Sequence, residues 1–289
     1  MEIKTIGVIG AGTSGRGIAY AALLGGYRTV LEDVSLEMRE QGSAFIAHTL
    51  AEGVLRGEVT PEQKEKALAN LSTARSVEDV CREADLLIEA VPEEMEVKLE
   101  IFTIFDKFAK PGAILASNTS SLSITEMASI TFRAEDCIGM HFLDPMPKMK
   151  LLEIVRAPGT SEATLRTCFE VGRQMGKEVV VILESPGFVT NRINALIGNE
   201  AFYMLQEGVA SAEDIDKALK FGLNHPMGPF ELVDLVGLDV RLTNLEYLHE
   251  TLGEKYRPCP LLTEYVKAGR TGRKAGRGVY DYGKEATKK

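Results

Sequence analysis

The chain lacks most of the features that would place it outside ordinary soluble globular proteins. Its four cysteines, Cys81, Cys137, Cys168 and Cys259, are far apart and form no C-x-x-C pair. That spacing argues against a disulfide framework or a zinc site and for reduced thiols. Positive charge is in deficit: 33 Lys and Arg against 42 Asp and Glu give a net charge of −9. Phosphate-rich partners such as nucleic acid or an anionic membrane would be repelled. The basic cluster Arg270, Arg273, Lys274 and Arg277 is interleaved with glycines and reads as a folded turn. No apolar run approaches a membrane span, no internal repeat has a solenoid period, and there is no low-complexity tract. The N-terminus enters a strand pattern almost at once, so neither a signal nor a transit peptide is expected. These absences point to a cytoplasmic protein without metal.

What is present begins at residues 4–33. Ile6-Gly7-Val8-Ile9 is a short strand-like run, followed by Gly10-Ala11-Gly12-Thr13-Ser14-Gly15. A helical pattern (Ile18, Ala21, Ala22) ends at Gly25-Gly26, and Thr29-Val30-Leu31 leads to Glu32-Asp33. This is a βαβ unit with G-x-G-x-x-G at its first turn, the dinucleotide-binding fingerprint. Gly10 permits the tight turn, Gly12 a close backbone approach to a diphosphate, and Gly15 close helix–strand packing. The helix N-terminus favours the anion. Asp33 stands where a carboxylate can accept both ribose hydroxyls and repel a 2′-phosphate, so the cofactor reads as NAD.

Beyond Asp33 the periodicity predicts helices over 36–56 and from Thr60-Pro61-Glu62, a helical-hairpin excursion from the sheet. Strands are expected at 71–73, 85–92, 113–116, 137–142, 151–155 and 178–183, with helices at 97–108 and 160–175. After Ser185-Pro186-Gly187 only helical patterns remain, at 188–206, 211–221, 229–251 and 261–267. The expected fold is therefore α/β: a Rossmann-type domain over residues 1–186, then an all-helical domain over 187–289.

His141 ends the strand 137–142, and Glu153 lies on the strand returning after the proline corner Asp144-Pro145-Met146-Pro147. A turn there would set a carboxylate beside an imidazole, so that an acid orients a base. Ser120, in Asn118-Thr119-Ser120-Ser121, follows another strand end, and Asn191 opens the helical domain. Either could bind a substrate oxygen. Each residue also has a structural alternative: a strand-end histidine, an ion-pair partner, a helix cap, a helix-face amide. His48, His225 and His249 have no comparable placement. From residues alone the reading stops at an NAD-dependent dehydrogenase with His141 as base.

At these positions the sequence resembles the 3-hydroxyacyl-CoA dehydrogenase family, and within it the short bacterial 3-hydroxybutyryl-CoA dehydrogenases. The stretches that carry the resemblance span nearly the whole chain. They are the glycine loop, Ile88-Glu89-Ala90-Val91, Ser117-Asn118-Thr119-Ser120-Ser121-Leu122, Gly139-Met140-His141-Phe142 and Met149-Lys150-Leu151-Leu152-Glu153. Ser185-Pro186-Gly187-Phe188-Val189-Thr190-Asn191-Arg192, Glu213-Asp214-Ile215-Asp216 and His225-Pro226-Met227-Gly228-Pro229-Phe230-Glu231-Leu232 complete the set.

The resemblance implies interconversion of (S)-3-hydroxyacyl-CoA, in particular 3-hydroxybutyryl-CoA, and the 3-oxoacyl-CoA with NAD. It also implies a homodimer built through the helical domain. It puts the acid/base pair on His141 and Glu153, with Ser120 and Asn191 holding the substrate oxygen. Cofactor contacts fall on Gly10, Gly12, Thr13, Ser14, Gly15, Asp33, Ala90, Glu93, Lys98, Asn118, Ser120 and Asp144, and CoA contacts on Thr49 and Arg56. The chain departs from the family pattern at Ser14, where Met is common, and at Leu143-Asp144, where Phe-Asn is usual. Asp144 either faces the cleft near the imidazole or caps the turn beside Pro145. Two other readings stay open: a dehydrogenase of a free hydroxy acid, gulonate-like, and a non-catalytic NAD-binding structural protein.

Overall fold

The computed structural model describes residues 2–283, and the chain divides into two compact units, 1–185 and 186–289. The division falls one residue before the boundary read from the sequence.

The first unit is built on one eight-stranded sheet. Its strands are β1 (Thr5–Ile9), β2 (Arg28–Glu32), β3 (Leu71–Ala74), β4 (Leu86–Glu89), β5 (Ile114–Ser117), β6 (Cys137–Phe142), β7 (Leu151–Arg156) and β8 (Glu178–Leu183). The order is β3-β2-β1-β4-β5-β6-β7-β8. All pairings are parallel except β6 with β7. The order reverses between β1 and β4, the switch point outside which open α/β sheets bind ligands.

The six inner strands are buried on both faces, as parallel sheets require, while the edge strands β3 and β8 stay partly exposed; the period of two separates two cores. Ile6, Val8, Leu86, Ile88, Ile114 and Ala116 belong to one core. It includes helices α1 (Thr13–Leu24), α2 (Leu36–Leu55), α3 (Pro61–Ala69) and α7 (Glu162–Gln174). Ile9, Leu87 and Leu115 belong to the other, with α4 (Val77–Glu83), α5 (Met95–Phe108) and α6 (Ile124–Ser129).

The excursion α2–α3 follows from local chemistry. Ser35 caps α2 by accepting from Met38 N–H. Thr60 and Gln63 close a capping box with Pro61 at the first helical position, a motif whose cap alone contributes about 1 kcal/mol. Arg56 is the residue that ends α2.

In the second unit α8 (Thr190–Gln206), α9 (Ala212–Gly222), α10 (Pro229–Val236), α11 (Leu238–Leu252) and α12 (Pro260–Lys267) enclose a third core. The single helix expected over 229–251 is two. Gly237, at φ 116, breaks it, yet Phe230, Val233, Leu238 and Leu245 are buried on both sides, so the apolar pattern runs through the break. Helix α4 is additional to the expected elements, and α6 enters the sequence reading only as the helix that Ser120 could cap. Each is under two full turns and rests on a Ser cap, Ser76 or Ser123, too short for a period to register. The last stretch is not purely helical either. Bridges Gly272↔Arg277 and Arg277↔Asp281 fold it back. There Asp234 accepts from Val279 N–H, Tyr280 N–H and Tyr282 O–H.

Candidate active site

The functional candidates of the first unit cluster at the carboxyl ends of β1, β2, β4, β5 and β6. At β1 the glycine loop turns the chain into α1. Gly10 takes φ 94, and a Cβ there would press to 2.8 Å from the Ala90 carbonyl oxygen. A side chain at Gly15 would collide with the Gly10 carbonyl. A Cβ at Gly12 would meet nothing within 4 Å, no side chain caps the helix, and its first turn holds no acidic residue. The open backbone N–H groups at the start of α1, Thr13 and Ser14 among them, therefore fit the diphosphate of a dinucleotide.

Asp33 is fixed beside the loop: one carboxylate oxygen accepts from Ala11 N–H at 3.0 Å and the other from Ser35 N–H at 2.9 Å. Nη1 of the buried Arg39 donates to the main-chain carbonyls of Asp33 and Val34.

At β4 and β5 a buried charge network appears that the sequence did not announce. Glu89, fully buried at the end of β4, accepts from Lys98 Nζ through both oxygens at 3.0 Å, from Val91 N–H and from Ser117 Oγ. Burial pushes the Glu89 carboxyl up, against the pull of Lys98 and Ser117. Lys98 reaches on to Glu93 Oε2 at 3.2 Å. The other Glu93 oxygen accepts from Thr119 O–H, Ser120 N–H and Ser120 O–H at 2.7, 2.8 and 3.0 Å. Burial opposes the Glu93 charge, but Lys98 and these donors hold its carboxyl below the ordinary value. The Ser120 hydroxyl proton is thus committed to Glu93, and donation to a substrate oxygen would require that bond to break. Ser120 does not cap the following helix; Ser123 does. Glu89 carried one signal in the sequence: an acid inside an apolar strand needs a buried partner, and Lys98 lies nine residues on.

At β6 and β7, His141 and Glu153 are direct partners in the antiparallel register. The His141 Nδ1 to Glu153 Oε2 distance is 2.7 Å with both side chains buried. With a carboxylate as acceptor, the neutral imidazole carries its proton on Nδ1 and a lone pair on Nε2. Asn118 Oδ1 accepts from Phe142 N–H at 2.9 Å, tying the end of β6 to the loop after β5. Asn191 stands in the first turn of α8 in the second unit.

Asp144, just past β6, accepts from Ser14 O–H at 2.7 Å. The two departures from the family pattern therefore touch each other. Thr49 and Arg56 of the excursion line a cavity of about 900 Å³, together with Lys148, Lys150 and Lys177 from the opposite wall. Arg56 is paired there with Glu58 at 2.9 Å and Glu52 at 3.6 Å. Burial lowers the Lys177 ammonium from its ordinary value. Among the described residues no three His, Cys, Asp or Glu side chains stand where they could hold one metal ion, and no helix is long and apolar enough to cross a membrane. All four cysteines are buried and unbridged.

Two family models match most of the chain: the NAD binding domain of 3-hydroxyacyl-CoA dehydrogenase over residues 5–185, and its C-terminal domain over 187–282. The chain belongs to the 3-hydroxyacyl-CoA dehydrogenase family. It is an NAD-dependent oxidoreductase with a Rossmann-type sheet and a helical C-terminal region. The probable 3-hydroxybutyryl-CoA dehydrogenase of Bacillus subtilis (strain 168) is 46% identical over 283 residues, 98% of either chain. The 3-hydroxybutyryl-CoA dehydrogenase of Bradyrhizobium diazoefficiens is 48% identical, covering 97% of this chain and 96% of that one. Among solved structures, the (S)-3-hydroxybutyryl-CoA dehydrogenase of Ralstonia eutropha superimposes with a TM-score of 0.95 at 42% identity. It covers 98% of this chain and 100% of its own.

Proposed function

We propose that this enzyme interconverts (S)-3-hydroxybutyryl-CoA and acetoacetyl-CoA, with His141 as acid/base and Glu153 as its orienting carboxylate. One observation carries the assignment: the 2.7 Å His141–Glu153 contact at the carboxyl edge of the sheet that bears the glycine loop. Bound NAD supplies the hydride acceptor. His141 Nε2 takes the proton of the 3-hydroxyl on oxidation and returns it on reduction, while Glu153 offsets the imidazolium charge. The substrate oxygen needs a hydrogen-bond donor, the role that the family resemblance assigns to Asn191. Ser120 fits that role after its hydroxyl leaves Glu93, whose carboxylate faces the nicotinamide side with Lys98. Asp33 takes the ribose of NAD, with Ala90 and Asn118 completing the cofactor floor.

The cavity between Thr49, Arg56 and the lysines of the opposite wall supports a CoA ester over a free hydroxy acid, because its cations suit the phosphates of CoA. NADH oxidation measured with acetoacetyl-CoA and with free acetoacetate tests this. Turnover of the free acid alone overturns the CoA reading, and turnover of neither overturns the enzyme.

The partner is a second copy of the chain. The second unit exposes large apolar side chains, including Phe221 (85%), Leu223 (66%) and Leu235 (51%), which a homodimer would cover. Light scattering of wild type and Phe221→Glu tests it, the variant being expected to dissociate. The acidic net charge and buried thiols suit a cytoplasmic enzyme.

A further inference from the structure

One face of α1 connects the cofactor loop to the cavity. Ser14, in the first turn, holds Asp144 across 130 residues of sequence. One turn on, Gly17 lies against the same corner: a Cβ there would come within 2.7 Å of Met146 Cβ. Further along the helix Tyr20, Ala21 and Leu24 form part of the cavity wall, which Met146 and Met149 close from the other side. Residues three and four apart share a helix face, so the corner 144–149 rides on α1 from loop to cavity. Its far end is held by Lys177, whose Nζ donates to the carbonyls of Met146 at 2.9 Å and Met149 at 2.8 Å.

We propose that the Ser14–Asp144 contact links the glycine loop to the wall of the acyl-CoA cavity, and that through it dinucleotide and CoA oppose each other's binding. The inference rests on the cavity reading given above. The first turn of α1 has neither an acidic residue nor a side-chain cap, so it attracts anions. Asp144 already places a carboxylate there. A diphosphate entering the same turn brings further negative charge within a Debye length, and the repulsion weakens the hold of Asp144 on Ser14. The corner then keeps the Lys177 bonds and the packing of Met146 on α1 but loses its tie to the loop, the cavity wall is less ordered, and CoA must order it on binding. Linkage makes the effect reciprocal: CoA weakens NADH by the factor by which NADH weakens CoA.

The test is the dissociation constant of NADH, read by nicotinamide fluorescence with and without saturating free CoA, in wild type, Ser14→Ala and Asp144→Asn. In wild type at low salt CoA should raise it about threefold, and the ratio should fall toward one near 0.5 M salt, where the Debye length is about 4 Å. In both variants the ratio should be close to one at low salt. Asp144→Asn should also bind NADH about threefold more tightly without CoA, having lost one charge. Direct repulsion between the two ligands would leave the same ratio in all three proteins, and that result overturns the link. Free CoA that fails to bind wild type overturns the cavity reading and the antagonism together.

Discussion

His141 and Glu153 meet at 2.7 Å across the antiparallel β6–β7 pair. A cross-strand partner is held more rigidly than a loop residue, so the imidazole has one preferred orientation. His141→Gln should lower kcat by roughly two to four orders of magnitude and leave NADH affinity unchanged. Glu153→Gln keeps the volume and removes the charge that stabilises the imidazolium, and should lower kcat at least tenfold. Steady-state assays with acetoacetyl-CoA check both; near-normal turnover in the first variant removes His141 from the mechanism.

The βαβ start, the strand ends and the His–Glu pairing were legible because period and spacing fix them locally. Thr60-Pro61 marked its helix for the same reason. The Lys98 bridge from Glu89 to Glu93 was not legible. It depends on which side chains the parallel register brings together, and an acid in an apolar run does not name its partner. Asp144 is a similar case. The sequence allowed a cleft-facing carboxylate or a turn cap, and its actual partner, Ser14, becomes visible only when α1 and the corner are packed. Gly237 hid in an unbroken apolar pattern.

Glu89 and Lys98 should matter most for stability. Removing one partner of a buried pair strands the other charge, which typically costs about 3–5 kcal/mol. Glu89→Gln should lose roughly 3 kcal/mol in urea unfolding. Glu93→Gln, at a carboxylate 40% exposed, should lose less and should change NADH binding more. The reverse ranking would place the structural anchor at Glu93.

Cofactor choice should favour NADH over NADPH by at least tenfold in kcat/KM, about 1.4 kcal/mol. Asp33 repels a 2′-phosphate, and Arg39, the nearby cation, already donates to two main-chain carbonyls. Equal use of the two cofactors would show that Arg39 can be released.

Arg56→Ala should raise KM for acetoacetyl-CoA a few-fold without changing NADH affinity. The effect is moderated because Arg56 must first leave Glu58 and Glu52, although exposed pairs of this kind contribute only about 0–1 kcal/mol. Glu58→Gln should therefore lower the same KM. An unchanged KM in both variants would move CoA recognition away from the excursion.

Glu32, the last residue of β2, gives the protein a pH-dependent stability. It is 2% exposed, and Oε1 has no hydrogen-bond partner among the described residues. Burial, with Asp33 and Glu78 adding and Arg39 opposing, pushes its carboxyl from 4.5 up to about 7. The folded state therefore keeps a proton that the unfolded chain has released between about pH 4.5 and 7. The contribution to stability is fully present below 4.5 and is lost as pH rises through 7. Its size is roughly 2 kcal/mol after allowance for solvent screening. Glu32→Gln cannot ionise, so it should be more stable than wild type by about that amount at pH 8 and nearly equal to it at pH 5. Urea unfolding at the two pH values checks this. An equal difference at both would mean that Glu32 is charged in the folded protein throughout.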